Sequence, residues 1–249
     1  MNPTGNTILV TGGGSGIGRG LAEALHDAGN TVIVAGRRRA PLEAVAAGRP
    51  GMHVAVLDID DAAAIRDVAA RLVAEHPGLD VLINNAGIMR VEQVLTDVEA
   101  LAIAEATIAT NLLGPIRLTA ALLPHLLARP KAAVVNVSSG LAFVPRADTP
   151  SYSATKAAIH SYTISLRHQL RGTGVQVIEL APPLVATELT PGQRDNPRAM
   201  PLDDFIRESL ALLAADPDAA EILVERVMPQ RRAEASGRFD AVFDLINPR

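Results

Sequence analysis

The chain of 249 residues contains no cysteine and carries a formal net charge of −4. The first fact excludes disulfides and thiolate metal sites. The second, with basic residues scattered apart from one arginine cluster, excludes the electrostatic footprint of a nucleic-acid binder.

Alternating strand-like and helix-like segments run from end to end without a linker, repeat or low-complexity break. One domain spanning 1–249 is therefore expected, long enough for a substantial core. The N-terminus lacks the charged start and long apolar core of a secretory signal. The most apolar later stretch, Ile116 to Ala128, is too short to span a bilayer and contains Arg117 and His125. The expectation is a soluble, cytoplasmic protein with no membrane partner.

Thr7 to Thr11 reads as a β-branched strand. It runs into Gly12-Gly13-Gly14-Ser15-Gly16-Ile17-Gly18 and then a helix from about Ile17 to Ala28. Glycine lets the backbone turn sharply and approach a pyrophosphate, and a helix N-terminus offers free amides to it. The spacing is Thr-Gly-x-x-x-Gly-x-Gly rather than Gly-x-Gly-x-x-Gly, but the strand-loop-helix setting favours phosphate binding over an idle turn.

Gly29-Asn30 closes that helix and Thr31 to Ala35 forms a second strand. Dinucleotide folds usually place an acidic residue here for the ribose 2′-hydroxyl. This chain has Gly36-Arg37-Arg38-Arg39 instead, which favours a 2′-phosphate and hence NADP(H), with Arg37 the first choice for the contact and Arg38 the second. Three solvated arginines at a helix start is the alternative.

His53 to Leu57 reads as a third strand ending at Asp58, and Asp61 as the cap of a helix running to about His76. Asp80 to Ile83 is a fourth strand, followed by Asn84-Asn85-Ala86-Gly87, whose small residues and amides suit packing against a cofactor. Two Ala- and Leu-rich helices are expected over roughly Asp97 to Asn111 and Leu113 to Leu127. Asn111 is a polar amide in an apolar setting, read either as a backbone-satisfying group or as part of a water or proton relay.

Ala132 to Val137 reads as a buried strand that delivers Ser138-Ser139-Gly140. Tyr152 then opens an Ala-rich helix with Lys156 four residues on, so the phenol and the ammonium share a face. A free tyrosine titrates near 10, and a neighbouring cation brings it toward the range useful for proton transfer. Ser139 is placed to hold a carbonyl oxygen. Val175 to Leu180 is a sixth strand, followed by Pro182, Pro183 and Thr187. The polar, proline-containing 188–201 segment and the helix from about Leu202 to Ala215 are read as a loop and helix (188–216) covering a substrate, with a plain surface loop equally open. Ala220 to Glu225 is a short seventh strand. The tail 237–249 has an apolar face that packs on its own domain or on another subunit.

These motifs, in this order and spacing, resemble the short-chain dehydrogenase/reductase family over Thr7 to about Thr187. TGGGSGIGRGLAE, AGRR and SSGLAFVP…YSATKAAIHSY are similar to its DltE-like subgroup. The resemblance implies an α/β fold: a Rossmann-like, doubly wound, mainly parallel sheet with helices on both faces. It implies Tyr152 as general acid/base, Ser139 orienting the substrate oxygen, Lys156 lowering the tyrosine pKa and holding the nicotinamide ribose, and Asn111 supporting a water that links Lys156 to solvent. Asp58 would contact adenine and Thr187 the nicotinamide carboxamide. The implied cofactor contacts also include Gly12, Gly14, Ser15, Gly16, Ile17, Gly18, Asn85, Ala86, Gly87, Tyr152 and Pro182. Partners would be a small carbonyl or alcohol substrate and further copies of the chain, in a homodimer or homotetramer.

Two features depart from the family: Pro183 stands where glycine is common, removing an amide, and the usual Asp-Gly-Gly ending is missing. Leu141, Phe143, Val144, Met89, Leu184 and Leu189 are the expected apolar pocket, with Arg146 or Arg90 available to an anionic end. The function expected is NADP(H)-dependent interconversion of a carbonyl and an alcohol, without a metal. The alternatives are an NAD-dependent enzyme of the same family and a non-catalytic dinucleotide-binding sensor or scaffold.

Overall fold

The computed structural model of the protein describes residues 1–93 and 100–248. Seven strands form one parallel sheet: β1 Thr7–Thr11, β2 Thr31–Gly36, β3 Met52–Val56, β4 Leu79–Asn84, β5 Ala132–Val137, β6 Val175–Leu180 and β7 Glu221–Ile222. Their order is β3-β2-β1-β4-β5-β6-β7. The near-continuous β-branched runs that made these strands legible are what a sheet buried on both faces requires; all six residues of β5 are buried.

Successive side chains sort to opposite faces. Ile8, Val10, Val34, Val135 and Ile178 meet Leu21 and Leu25 of α1 (Gly16–Asp27), Leu42 and Val45 of α2 (Arg39–Ala46), and Phe205 and Leu213 of α7 (Leu202–Ala215). Leu9, Ile33, Leu82, Val134 and Val177 meet Ile65 and Leu72 of α3 (Ala62–Glu75), Leu118 and Leu122 of α5 (Gly114–Leu127), and Leu166 of α6 (Pro150–Gln169). The chain winds outward from β1 to β3 and then crosses back to place β4 on the other side of β1. The reversal opens a crevice at the carboxyl ends of β1 and β4, the place where sheets of this kind bind ligands.

Asp61 caps α3 as expected, accepting from the amides of Ala63 and Ala64. The helix expected from Asp97 has its start outside the described residues. Its described part is α4, Ala100–Ile108, and the expected break near Asn111 is instead a π-helical turn, Ala109–Leu113, leading directly into α5. The run Ala100–Leu127 is thus long and apolar enough to cross a membrane by length and composition, which the shorter stretch read from sequence was not. Part of its apolarity serves the core: Leu118, Leu122 and Leu126 are fully buried against the sheet. α6 starts at Pro150, two residues before Tyr152, with proline in the first turn where its missing N–H costs nothing. β7 is shorter than expected. Beyond it lie α8 (Met228–Arg231) and α9 (Phe239–Ile246), and α9 packs Val242, Phe243 and Ile246 on Val144 and Ala233 of the same chain.

Candidate active site

The β1–α1 loop is shaped by glycines in ways no other residue allows. Gly12 and Gly16 have φ of +66° and +52°. A Cβ on Gly18 would lie 2.3 Å from Asn85 Nδ2 and 2.4 Å from the Gly12 carbonyl oxygen. Gly18 therefore lets α1 close on the β4 loop and does not itself line the crevice. Ser15 is the N-cap of α1 but forms no side-chain cap, and the first turn holds no acidic residue. The amide-bearing end of α1 thus keeps its positive dipole for an anion, unlike that of α3, which Asp61 closes. The Thr11 hydroxyl accepts from the amides of Asn85 and Ala86, both at 3.0 Å, and Asn85 Nδ2 donates to the Thr11 carbonyl at 2.9 Å. These bonds tie the two strand ends that flank the crevice.

Three adjoining cavities follow the carboxyl edge of the sheet. One of about 220 Å³ is lined by Gly12, Gly14, Ser15, Arg37, Arg38, Leu57, Ile59, Ala86 and Gly87. Asp58 stands between two of these lining residues, exposed, with its carboxylate on the amide of Asp60. Arg37 is exposed and lies 3.9 Å from Asp60; Arg38 is exposed at the N-cap of α2. The second, about 350 Å³, is lined by Gly12, Ser15, Gly16, Ile17, Asn85, Ala86, Gly87, Arg90, Ser139, Tyr152, Lys156, Pro182 and Thr187. The third, about 570 Å³, shares Met89, Ser139, Tyr152, Pro182 and Leu189 with the second and continues past Leu141, Arg146, Leu184 and Arg198 to Leu245, Ile246 and Asn247.

Four of the six residues expected in an apolar pocket, Met89, Leu141, Leu184 and Leu189, line this third cavity. The other two do not. Val144 is fully buried beneath α9, and Phe143 packs edge-on against His160 at 5.0 Å with the Arg231 guanidinium over its ring.

Ser139, Tyr152 and Lys156 meet where the second and third cavities join. The three are 8%, 7% and 5% exposed, and burial is the largest influence on the titration of Tyr152 and Lys156. The Tyr152 phenol is pushed up to about 12, chiefly by desolvation, and a hydrogen bond from Ser139 opposes this only in part. The Lys156 ammonium, 5.5 Å from the centre of the Tyr152 ring, is pushed down to about 8 by burial, against the attraction of Glu179. Its Nζ donates to the Val137 carbonyl at 2.8 Å. In the protein alone, burial is the dominant influence on the phenol, and Ser139 is the group that opposes it.

Asn111 is buried in the π turn, a geometry that often marks functional positions. Its Oδ1 accepts from the Ile88 amide at 2.8 Å, and its Nδ2 donates to the Ile88 carbonyl at 2.9 Å and to Thr155 Oγ1 at 3.3 Å. The amide therefore clamps the segment after β4, which is the backbone-satisfying alternative. Thr187 is buried, with its hydroxyl accepting from Gln193 Nε2 at 3.1 Å. Gln193 Nε2 also donates to the Val185 carbonyl at 2.8 Å, so the 188–201 loop is pinned to the segment that follows β6.

Sequence reading missed Gln193, Gln230 and Asn247, polar residues in segments without periodicity. Asn247 holds α9 in place by donating to the Pro145 carbonyl at 3.1 Å and accepting from the Ala147 amide at 2.7 Å. Reading also passed over Glu179, whose one signal was a carboxylate at an inward position of an apolar strand.

Comparison with known proteins agrees with this geometry. The family model described as short chain dehydrogenase matches residues 6–198. The chain is 39% identical to an uncharacterized oxidoreductase, DltE, of Bacillus subtilis over 251 residues, 99% of this chain and 98% of that protein. Among solved structures, serine dehydrogenase complexed with NADP+ superposes with a TM-score of 0.75 at 29% identity, covering 83% of this chain and 88% of that one. A 3-ketoacyl-(acyl-carrier-protein) reductase from Brucella melitensis complexed with NADH superposes with a TM-score of 0.79 at 26% identity, covering 91% and 100%.

Proposed function

The chain belongs to the short chain dehydrogenase family, and from that premise we propose that this oxidoreductase interconverts a carbonyl and a primary or secondary alcohol with NADP(H). The observation that carries the reading is the meeting of Ser139, Tyr152 and Lys156 at the junction of a glycine-walled crevice and a cavity lined largely by apolar side chains. The residues fit the dinucleotide. The uncapped start of α1 suits the pyrophosphate, and Gly12 and Gly16 hold the backbone in a turn that side chains would strain. Arg37 and Arg38 stand at the far end of the groove, where a ribose 2′-phosphate would need cations.

When bound, the dinucleotide supplies hydride to the carbonyl carbon or takes it from the alcohol carbon. The residues of the chain handle the oxygen. Ser139 donates a hydrogen bond to it, and Tyr152 gives it a proton during reduction or removes one during oxidation. A phenol raised to about 12 is fully protonated near neutrality and ready to act as the acid. Acting as the base requires that pKa to fall, which Lys156 assists by holding positive charge beside the ring. Asn111 keeps the segment after β4 in position against the cofactor. Met89, Leu141, Leu184 and Leu189 suit an uncharged portion of the substrate, and Arg146 or Arg198 an anionic end. Exposed Leu101, Ile108 and Leu113 offer apolar surface for association into a homodimer or homotetramer.

The test is NADPH consumption with a panel of aldehydes, ketones and keto acids, with Tyr152→Phe alongside. Turnover by the wild type and its loss in the variant is the expected result. Tight NADPH binding without turnover on any carbonyl would support a sensor instead. An NAD-dependent enzyme is the second reading, favoured by one observation: Asp60 already neighbours Arg37, leaving that guanidinium partly engaged.

A further inference from the structure

Glu179 is an ionisable residue in β6 with no exposed surface, and an isolated buried carboxylate is costly. Its partners account for its charge. Oε1 accepts from Ser138 Oγ at 2.5 Å and Oε2 meets His160 Nδ1 at 2.7 Å. Further out, Glu221 of β7 is bound by Arg231 through two contacts of 3.0 Å. The ligand atoms of His160, Glu179 and Glu221 lie within 4.8 Å of one another, with the His160 N–H and the Arg231 guanidinium already engaging the two carboxylates.

The cluster adjoins the reaction site in two ways. Tyr152, Lys156 and His160 follow one another at four-residue spacing on α6, along one face. Glu179 and Lys156 also grip consecutive residues at the end of β5: the ammonium holds the Val137 carbonyl and the carboxylate holds the Ser138 hydroxyl. Ser139 is the next residue.

We propose that Glu179 is a positioning residue of this site: its buried carboxylate is the countercharge that keeps Lys156 an ammonium and anchors the strand end presenting Ser139, while His160 sets how much of that charge Lys156 feels. The inference rests on the reading of Tyr152 and Lys156 as the proton-handling pair. The groups facing Glu179 give the signs. Lys156 and His160 on α6 and Arg231 on α8 are cationic or can become so, and Glu221 on β7 is, among the described residues, the other carboxylate of the cluster. Glu179 raises Lys156 against the effect of burial. It also raises His160, first through their hydrogen bond. Removing the carboxylate should lower the lysine pKa. Removing the N–H that His160 donates to Oε2 should leave more of the carboxylate's charge for the lysine and raise it.

The chain has only two lysines, Lys131 and Lys156, so protein labelled with 13C at lysine Cε gives two signals, assigned with Lys131→Arg. In Glu179→Gln the Lys156 titration midpoint should fall by about one unit. In His160→Gln it should rise. A purely structural role would lower the melting temperature without moving the two midpoints in opposite directions. In the active protein, the pH limb of alcohol oxidation should move upward in Glu179→Gln, because a less charged lysine supports the phenolate less.

A Lys156 midpoint unmoved in Glu179→Gln overturns the proposal. Should that variant not fold, an unmoved or lowered midpoint in His160→Gln does the same. The titration is made without substrate. A wild type that turns over no carbonyl would therefore count against the reductase reading alone, and a static lysine in a working enzyme against the role of Glu179 alone.

Discussion

Replacing Arg37 with alanine tests the dinucleotide preference most directly. The guanidinium is 59% exposed and lies 3.9 Å from a carboxylate of Asp60 that is itself 34% exposed. An exposed pair of this kind is worth about 0.2–1 kcal/mol. A hydrogen bond to a charged group contributes about 1.5–3 kcal/mol, and exposure places Arg37 toward the low end of that range. After the contact with Asp60 is given up, a 2′-phosphate should gain roughly 1–2 kcal/mol from Arg37. Removing the side chain should then weaken NADP(H) about 5- to 30-fold and leave NAD(H) nearly unchanged. In a thermal melt at fixed, saturating ligand, a tenfold weaker Kd costs about 1.4 kcal/mol of ligand-conferred stability. In a chain of this size that is roughly 3–5 °C of the shift given by NADP, with the NAD shift unaltered. The difference should shrink as salt is raised, because the contact is exposed. Equal losses for both dinucleotides, or no loss for NADP in either Arg37→Ala or Arg38→Ala, would refute the assignment.

Three other outcomes follow from the geometry. Tyr152 is raised in the folded state from 10.0 to about 12, so its contribution to stability is complete below pH 10 and is lost as pH rises through 12. Lys156 is lowered from 10.5 to about 8, so its contribution is complete above pH 10.5 and is lost as pH falls through 8. Urea unfolding at stepped pH should show each as roughly 3 kcal/mol, with Tyr152→Phe removing the alkaline loss and Lys156→Met the gain between 8 and 10.5. Gly18→Ala would drive a methyl into Asn85 and the Gly12 carbonyl; it should cost about 1–3 kcal/mol in urea unfolding and weaken both dinucleotides, and an unaffected Kd would show that the loop tolerates the shift. Deleting residues 239–249 removes Leu245 and Ile246 from the third cavity and should raise KM for a carbonyl substrate about tenfold with NADPH affinity unchanged, whereas loss of NADPH binding would mean that α9 supports the whole domain.

The sheet was legible because its central strands are buried and read as largely apolar, β-branched runs, with β1, β2, β4 and β5 closed by glycine, asparagine or serine, β3 by Asp58 and β6 by Pro182. β1, β5, β6 and α7 begin and end where the sequence indicates. The π turn at Asn111 was not legible. One extra residue rotates the turns that follow by about 100°, but in an alanine- and leucine-rich stretch that is apolar nearly all round no stripe records the rotation, and the clue was instead chemical, an amide among apolar neighbours. Likewise, nothing local separates Leu141, which faces the cavity, from Val144, which is buried beneath α9. The α9 helix that covers Val144 lies about a hundred residues later in a segment with no recognisable start signal.

The site divides along the same line. Tyr152 and Lys156 are four apart on one helix, so their meeting is a local fact that spacing alone conveys. Ser139 joins them only because β5 and α6 are brought together, and it was legible through resemblance rather than geometry. Glu179 lies nineteen residues from His160 and forty-one from Ser138, and a strand pattern cannot reveal which side chains will neutralise an inward-facing carboxylate. It can, however, show that one must. A charge at a position the alternation assigns to the core has to find hydrogen-bonded partners or become neutral. In this protein the partners are Ser138, next to Ser139, and His160, one helical turn from Lys156, so the carboxylate that looks like a flaw in β6 is tied to the end of β5 and to the face of α6 that carries Lys156.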